Sequence, residues 1–247
     1  MSQKFLNFNK VSFSYDSMHA PLIADMSYSF PPGWYAIAGA NGTGKTTFLK
    51  LASAIIMPDS GTVTIPGSVY YCEQRTDTPP EISQKMFDDN TGSAENIMQK
   101  LGVQRGWFDN WQMLSHGERK RFQLACALWM NPDVLCVDEP FNHLDALAKQ
   151  AVVSILKGYP GIGLLVSHDR ETSDELCRGC LIFDGNRITA HNSGISDVLV
   201  SLENINASKK KKFMEKQRGL RRMSDELTHR KNKAMQADSK RSKKHLD

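Results

Sequence analysis

GANGTGKTT, Gly39 to Thr47, follows directly on the apolar run WYAIA at Trp34 to Ala38 and fits G-x-x-x-x-G-K-[ST] through Gly39, Gly44, Lys45 and Thr46. Set between a strand and a helix expected from Thr47 to Ile56, ahead of Pro58, such a loop wraps phosphate closely. Its N–H groups, from Gly39 through Ala40, Asn41, Gly42, Thr43 and Gly44 to Thr47, and the helix dipole face negative charge together. Lys45 is expected to reach the β and γ phosphates and Thr46 to coordinate Mg2+. A chance glycine-rich turn does not account for the strand before it and the helix after it.

A second site stands further along in VLCVDEP. A buried strand that delivers Asp138 to its carboxyl end puts a carboxylate beside the metal, and Glu139 next to it polarises an attacking water. A surface acidic pair leaves the four apolar residues upstream unexplained.

Around these motifs the chain reads as an α/β protein. Trp34 to Ala38, Val134 to Val137 and Ile162 to Val166 are apolar runs of strand length, suited to the buried centre of a parallel sheet with crossover helices. Between Asp77 and Leu114 the texture turns helical around Pro79, Pro80, Trp107 and Trp111, which reads as an inserted helical subdomain of about 77–130.

The chain has 247 residues, 40% apolar and 23% charged, the balance of an ordinary globular protein. No run approaches the ~20 apolar residues of a membrane span, and MSQKFLNFNK is too polar for a signal peptide. A cytoplasmic location is therefore expected. The five cysteines sit among apolar residues, as buried thiols do. Cys177 and Cys180 make a C-x-x-C without a partner pair at zinc spacing.

The net charge of +4 hides a division. Residues 208–247 hold 15 Lys or Arg against 5 Asp or Glu, and the remaining 207 residues hold 16 against 22. The boundary is placed there: a domain of 1–207 and a basic helical tail of 208–247, in which Phe213, Leu220, Leu227 and Ala234 recur at intervals of seven.

LSHGERKR, Leu114 to Arg121, makes a capping box of Ser115 and Glu118 ahead of a helix with Phe122, Ala125, Cys126 and Trp129 on one face. In a chain that also carries GANGTGKTT, VLCVDEP, FNHLD and LVSHD in order, it resembles the signature of the ATP-binding cassette, or ABC, ATPases. The resemblance runs from about Tyr15 to Asp184. It implies a P-loop NTPase cassette with a mostly parallel core sheet, an antiparallel β subdomain and the inserted helical subdomain.

By residue, Tyr15 matches the aromatic that stacks on adenine, or is a plain strand aromatic. Gln74 matches the glutamine that joins the metal and senses the γ phosphate. Asp145 matches the loop that touches the opposite active site. His168 matches the switch histidine at the γ phosphate, with a helix-capping role as the alternative. The family closes two cassettes head to tail, so that Ser115, His116, Gly117 and Glu118 cover a partner's ATP. His116 stands where the family pattern has a glycine.

Within the family, the short path from Gly61 to Gln74, the SHDRE run and the closing segment NSGISDVLVSLEN look like the ABC-F branch. That branch joins two cassettes by a long charged helical linker reaching toward transfer RNA on the ribosome, and residues 208–247 resemble its start. KKKK and KRSKK suit phosphate backbones without reading sequence. The expected partners are a second cassette, in the same longer chain, a homodimer or a separate subunit, and a ribosome. The rival readings are the nucleotide-binding subunit of a membrane transporter and an ATP-gated clamp on nucleic acid.

Overall fold

The computed structural model describes residues 4–16, 20–185, 187–201, 214–215 and 217–218. In chain order these form β1 (Leu6–Phe13), β2 (Ile23–Phe30), β3 (Gly33–Gly39), α1 (Lys45–Ala52), β4 (Ser60–Thr64) and β5 (Val69–Cys72). Next come α2 (Ser83–Phe87), α3 (Ser93–Leu101), two 3-10 turns at Arg105–Trp107 and Trp111–Met113, and α4 (His116–Met130). The chain continues through β6 (Val134–Asp138), α5 (Ala146–Lys157), β7 (Ile162–Val166), α6 (Arg170–Leu176), β8 (Gly179–Asp184) and β9 (Arg187–His191). Met1–Val198 is one compact unit and Leu199–Asp247 a second. The tail of 208–247 lies outside the described residues except for Met214, Glu215, Gln217 and Arg218, which are helical.

In the first unit a six-stranded sheet runs in the order β5-β6-β7-β3-β8-β9, and a three-stranded sheet in the order β2-β1-β4. The larger sheet is parallel from β5 to β8 and antiparallel only at β9. Both pairings of the smaller sheet are antiparallel. Every residue of β6 and β7 is buried, because each strand has a core on both faces. Val134 and Cys136 pack with Phe48 of α1 and the smaller sheet, whereas Leu135 and Val137 pack with α3, α4 and α5. A strand at such a centre cannot alternate polar and apolar residues.

Phe48 binds the first of these cores together. Its ring stacks on Phe8 of β1 at 4.8 Å and meets Phe183 of β8 at 5.7 Å and Phe30 of β2 at 6.1 Å. One side chain on the helix behind the Gly39–Gly44 loop thus touches both sheets.

That helix is shorter than the sequence suggests. It begins at Lys45 and stops at Ala52, because Ser53 Oγ donates to the carbonyls of Leu49 and Lys50 and Ala54 turns to φ 54°. Residues to Ile56 continue as a turn rather than a helix. The Leu49 carbonyl keeps its helical Ser53 N–H, whereas the Lys50 carbonyl takes the Ser53 hydroxyl and the Ile55 N–H while Ala54 N turns to Leu51 O.

The five cysteines are all unpaired; four are buried and Cys177 is half-buried. Burial pushes the thiols up, to about 12 at Cys72 and Cys126 and about 11 at Cys180. No helix among the described residues is long and apolar enough to cross a membrane.

Candidate functional site

In a doubly wound sheet the crevice opens beyond the carboxyl ends of the parallel strands. Here the ends of β3, β6 and β7 bring Gly39, Asp138 and Val166 to one edge, with Asp138 in register with Val166. A cleft of about 530 Å3 opens there, lined by Tyr15, Leu22, Asn41, Gly42, Gly44, Lys45, Thr46, Thr47, Gln74, Asp138, Glu139, Val166 and His168. Its volume is within the ~300–1,000 Å3 range of small-molecule sites.

The loop from Gly39 to Thr46 is braced by its own hydrogen bonds. Lys45 Nζ donates to the Gly39 and Ala40 carbonyls, both at 2.9 Å, and Thr43 Oγ1 donates to Ala40 O at 2.8 Å. Gly44 caps α1 at φ 100°, and a Cβ there comes within 2.9 Å of the Leu22 side chain. That position therefore admits only glycine. Ala40 and Thr43 support the loop rather than line the cleft.

Thr46 Oγ1 donates to Asp138 Oδ2 at 2.8 Å, and Tyr71 OH donates to the same oxygen at 3.3 Å. These contacts fix the carboxylate at the end of β6. The next residue, Glu139, is only 4% exposed and has φ 50°, a backbone region that costs a residue with a Cβ about 1–2 kcal/mol. Its N–H donates to Val166 O at 2.8 Å, which extends the ladder by one residue and holds the strained turn. Strain of this kind collects at functional sites.

The Glu139 carboxylate faces His168. Its Oε2 accepts the His168 backbone N–H at 3.2 Å, and His168 Nε2 lies 3.4 Å from Oε1. Burial raises the Glu139 carboxyl above the ordinary glutamate value, and the His168 N–H acts in the opposite direction. The His168 ring is exposed, and the helix cap is supplied by Asp169, whose carboxylate accepts from Thr172 N at 3.0 Å. Asp169 in turn pairs with Lys149 of α5 at 2.5 Å.

Tyr15 lies at the rim, 44% exposed, with its hydroxyl 3.2 Å from Thr47 Oγ1 and its ring edge-on to Phe13. Ser115, His116, Gly117, Glu118 and Asp145 do not line this cleft. The capping box is formed: Glu118 N donates to Ser115 Oγ at 3.3 Å and Ser115 N to Glu118 Oε2 at 2.8 Å. The Ser115 hydroxyl also donates to Glu118 and holds its carboxyl below the usual range. Asp145 caps α5 by accepting from Ala148 N at 2.7 Å.

A Cβ on Gly117 would stand 2.6 Å from the His143 carbonyl, so the signature turn packs directly on the FNHLD backbone. His116 has room for its ring, which lies 5.2 Å from that of His143. A second cavity of about 390 Å3, lined by Gln74 to Asp77, His116, Lys120, Glu139, Asn142 and His143, meets the first at Gln74 and Glu139.

Three contacts were not legible in the sequence motifs: Tyr71 on Asp138, the His143 carbonyl against Gly117, and the buried Lys120 on Glu73 and Asp138. Lys120 leaves one trace. It stands three residues before Gln123 and seven before Ala127, both buried, where helical periodicity places an inward-facing residue.

A family model described as ABC transporter matches residues 23–142. The chain is 32% identical over 221 residues to the ATP-binding protein Uup-like of Haemophilus influenzae, covering 82% of this chain and 48% of that protein. It is 30% identical over 192 residues to the energy-dependent translational throttle protein EttA of the same organism, covering 71% and 34%. It is 33% identical over 168 residues to the ribosome protection protein VmlR of Bacillus subtilis, covering 62% and 29%. The chain spans less than half the length of these relatives.

Proposed function

This chain belongs to the ATP-binding cassette family, as a cassette of ABC-F type, and from that premise we propose that it binds and hydrolyses Mg·ATP and couples the cycle to the ribosome. The observation that carries the chemistry is the convergence of Thr46 on Asp138 at 2.8 Å, with Lys45 behind it and Glu139 and His168 beside it. Relatives named for translational throttling and ribosome protection support the biological half.

The loop amides and the start of α1 bind the phosphates, and Lys45 exchanges its two loop carbonyls for phosphate oxygens. Thr46, Asp138 and Gln74 would hold Mg2+, since hard oxygen donors already converge there. When bound, the ion would supply positive charge that neutralises the phosphates. Glu139 accepts the proton of the attacking water on its carboxylate, which the His168 backbone N–H holds in place at Oε2. Tyr15 stacks on the base. Ser115 to Glu118 and Asp145, which lie outside this cleft, serve the ATP of a second cassette. The cycle takes place in the cytoplasm, with KKKK and KRSKK as the phosphate-binding runs of the tail.

Hydrolysis needs the ionised form of Glu139. Because burial raises that carboxyl, the acid limb of kcat/KM is expected above pH 4.5, the ordinary glutamate value, and a pH profile of phosphate release at subsaturating ATP reads it.

Co-sedimentation of the full chain with ribosomes, in ATP and in ADP at physiological salt, tests the biological half. ATP-dependent pelleting is expected. Intact ATP binding without pelleting in either nucleotide removes the ribosome, and retention on duplex DNA in the same assay assigns the cycle to a nucleic-acid clamp instead.

A further inference from the structure

Lys120 lies in the second turn of α4 and keeps only 3% of its surface exposed. A buried ammonium persists where oxygen acceptors surround it. Its Nζ has three: the Glu73 carbonyl at 2.5 Å, Gln123 Oε1 at 3.0 Å and the Asp138 carbonyl at 3.3 Å.

Two of these acceptors sit immediately before residues of the cleft. Glu73 precedes Gln74, and Asp138 precedes Glu139. From the same stretch of chain, Trp111 Nε1 donates to the carbonyls of Thr76 at 3.1 Å and Asp77 at 3.2 Å. The segment from Glu73 to Asp77 is thus fastened on both sides of Gln74 to residues 111–120. Only the Lys120 contact also reaches the end of β6.

We propose that Lys120 is a positioning residue, whose ammonium ties the Glu73 and Asp138 carbonyls to one point and so fixes Gln74 relative to Glu139. The roles of Gln74 and Glu139 rest on the cassette reading, whereas the tie itself does not. An apolar side chain of the same length fills the space yet leaves two carbonyls without their donor. The signature turn, Ser115 to Glu118, begins the same helix, so a shift of α4 reaches both arms of the cleft through this one nitrogen.

The test compares the full chain with Lys120→Met, which keeps the reach and loses the donor, and Lys120→Arg, which keeps the cation. In hydrogen exchange without nucleotide, the Met variant is expected to exchange about tenfold faster in the peptides covering 73–77 and 138–142, with β8 and β9 unchanged. In turnover it is expected to lose about tenfold in kcat while KM for ATP stays within about twofold, and Arg restores most of the loss. Exchange unchanged in those two segments, a uniform rise across the whole chain, or a KM that climbs as kcat falls would overturn the proposal. A wild-type chain that does not hydrolyse ATP rejects the catalytic roles given to Gln74 and Glu139, while the exchange comparison still decides Lys120.

Discussion

Glu139→Gln is expected to lower ATP turnover by about 100- to 10,000-fold, the usual worth of a positioned general base, with nucleotide binding retained. The amide keeps an oxygen for the His168 N–H and occupies the same space, so the loss is that of the carboxylate's charge and its proton-accepting power. The folded state raises the Glu139 carboxyl, so it favours the protonated form, and the associated stability is present at low pH and lost as pH rises through the raised value. The glutamine variant carries no charge to bury and is expected to melt no lower than wild type at neutral pH. Single-turnover phosphate release and a thermal melt read the two halves; unchanged turnover would remove Glu139 as the base.

Phe48→Ala is expected to cost about 3–5 kcal/mol, the range for emptying an aromatic site in a core. For a domain of this size, at about 2–4 °C per kcal/mol, the melting midpoint is expected to fall by about 6–20 °C. The ring is fully buried and touches Phe8, Phe30 and Phe183, which lie on three strands of two sheets, so no single neighbour can move in to fill the gap. By contrast, losing the Ser115 cap costs typically about 1 kcal/mol. Phe48 sits three residues after Lys45 on the same helix, so ATP affinity is expected to weaken along with stability. A variant that melts with wild type would mean the cluster is not what joins the sheets.

The strands were legible for a physical reason. A strand buried on both faces is a continuous apolar run, and the run Ile162 to Val166 coincides with β7, while Trp34 to Ala38 and Val134 to Val137 fall within one residue of the ends of β3 and β6. The end of α1 was not legible, since a serine hydroxyl bonding back onto its own helix looks in sequence like any other polar residue. At the cleft, the motif residues Lys45, Thr46, Asp138 and Glu139 could be named because each belongs to a short local pattern. Tyr71 on Asp138, and Lys120 on Glu73 and Asp138, are contacts between distant parts of the chain. Only the fold brings them together, and no window of sequence contains both partners.

The sealed thiols have a practical consequence. With every cysteine sulfur packed in the interior or half-buried, and burial raising its affinity for its proton, the unmodified protein presents little thiolate to an alkylating reagent at neutral pH. His116, by contrast, is exposed and has room for a side chain, while the residue after it has none. A single His116→Cys substitution therefore gives an addressable position for a maleimide dye at the mouth of the signature turn, with the native cysteines left in place.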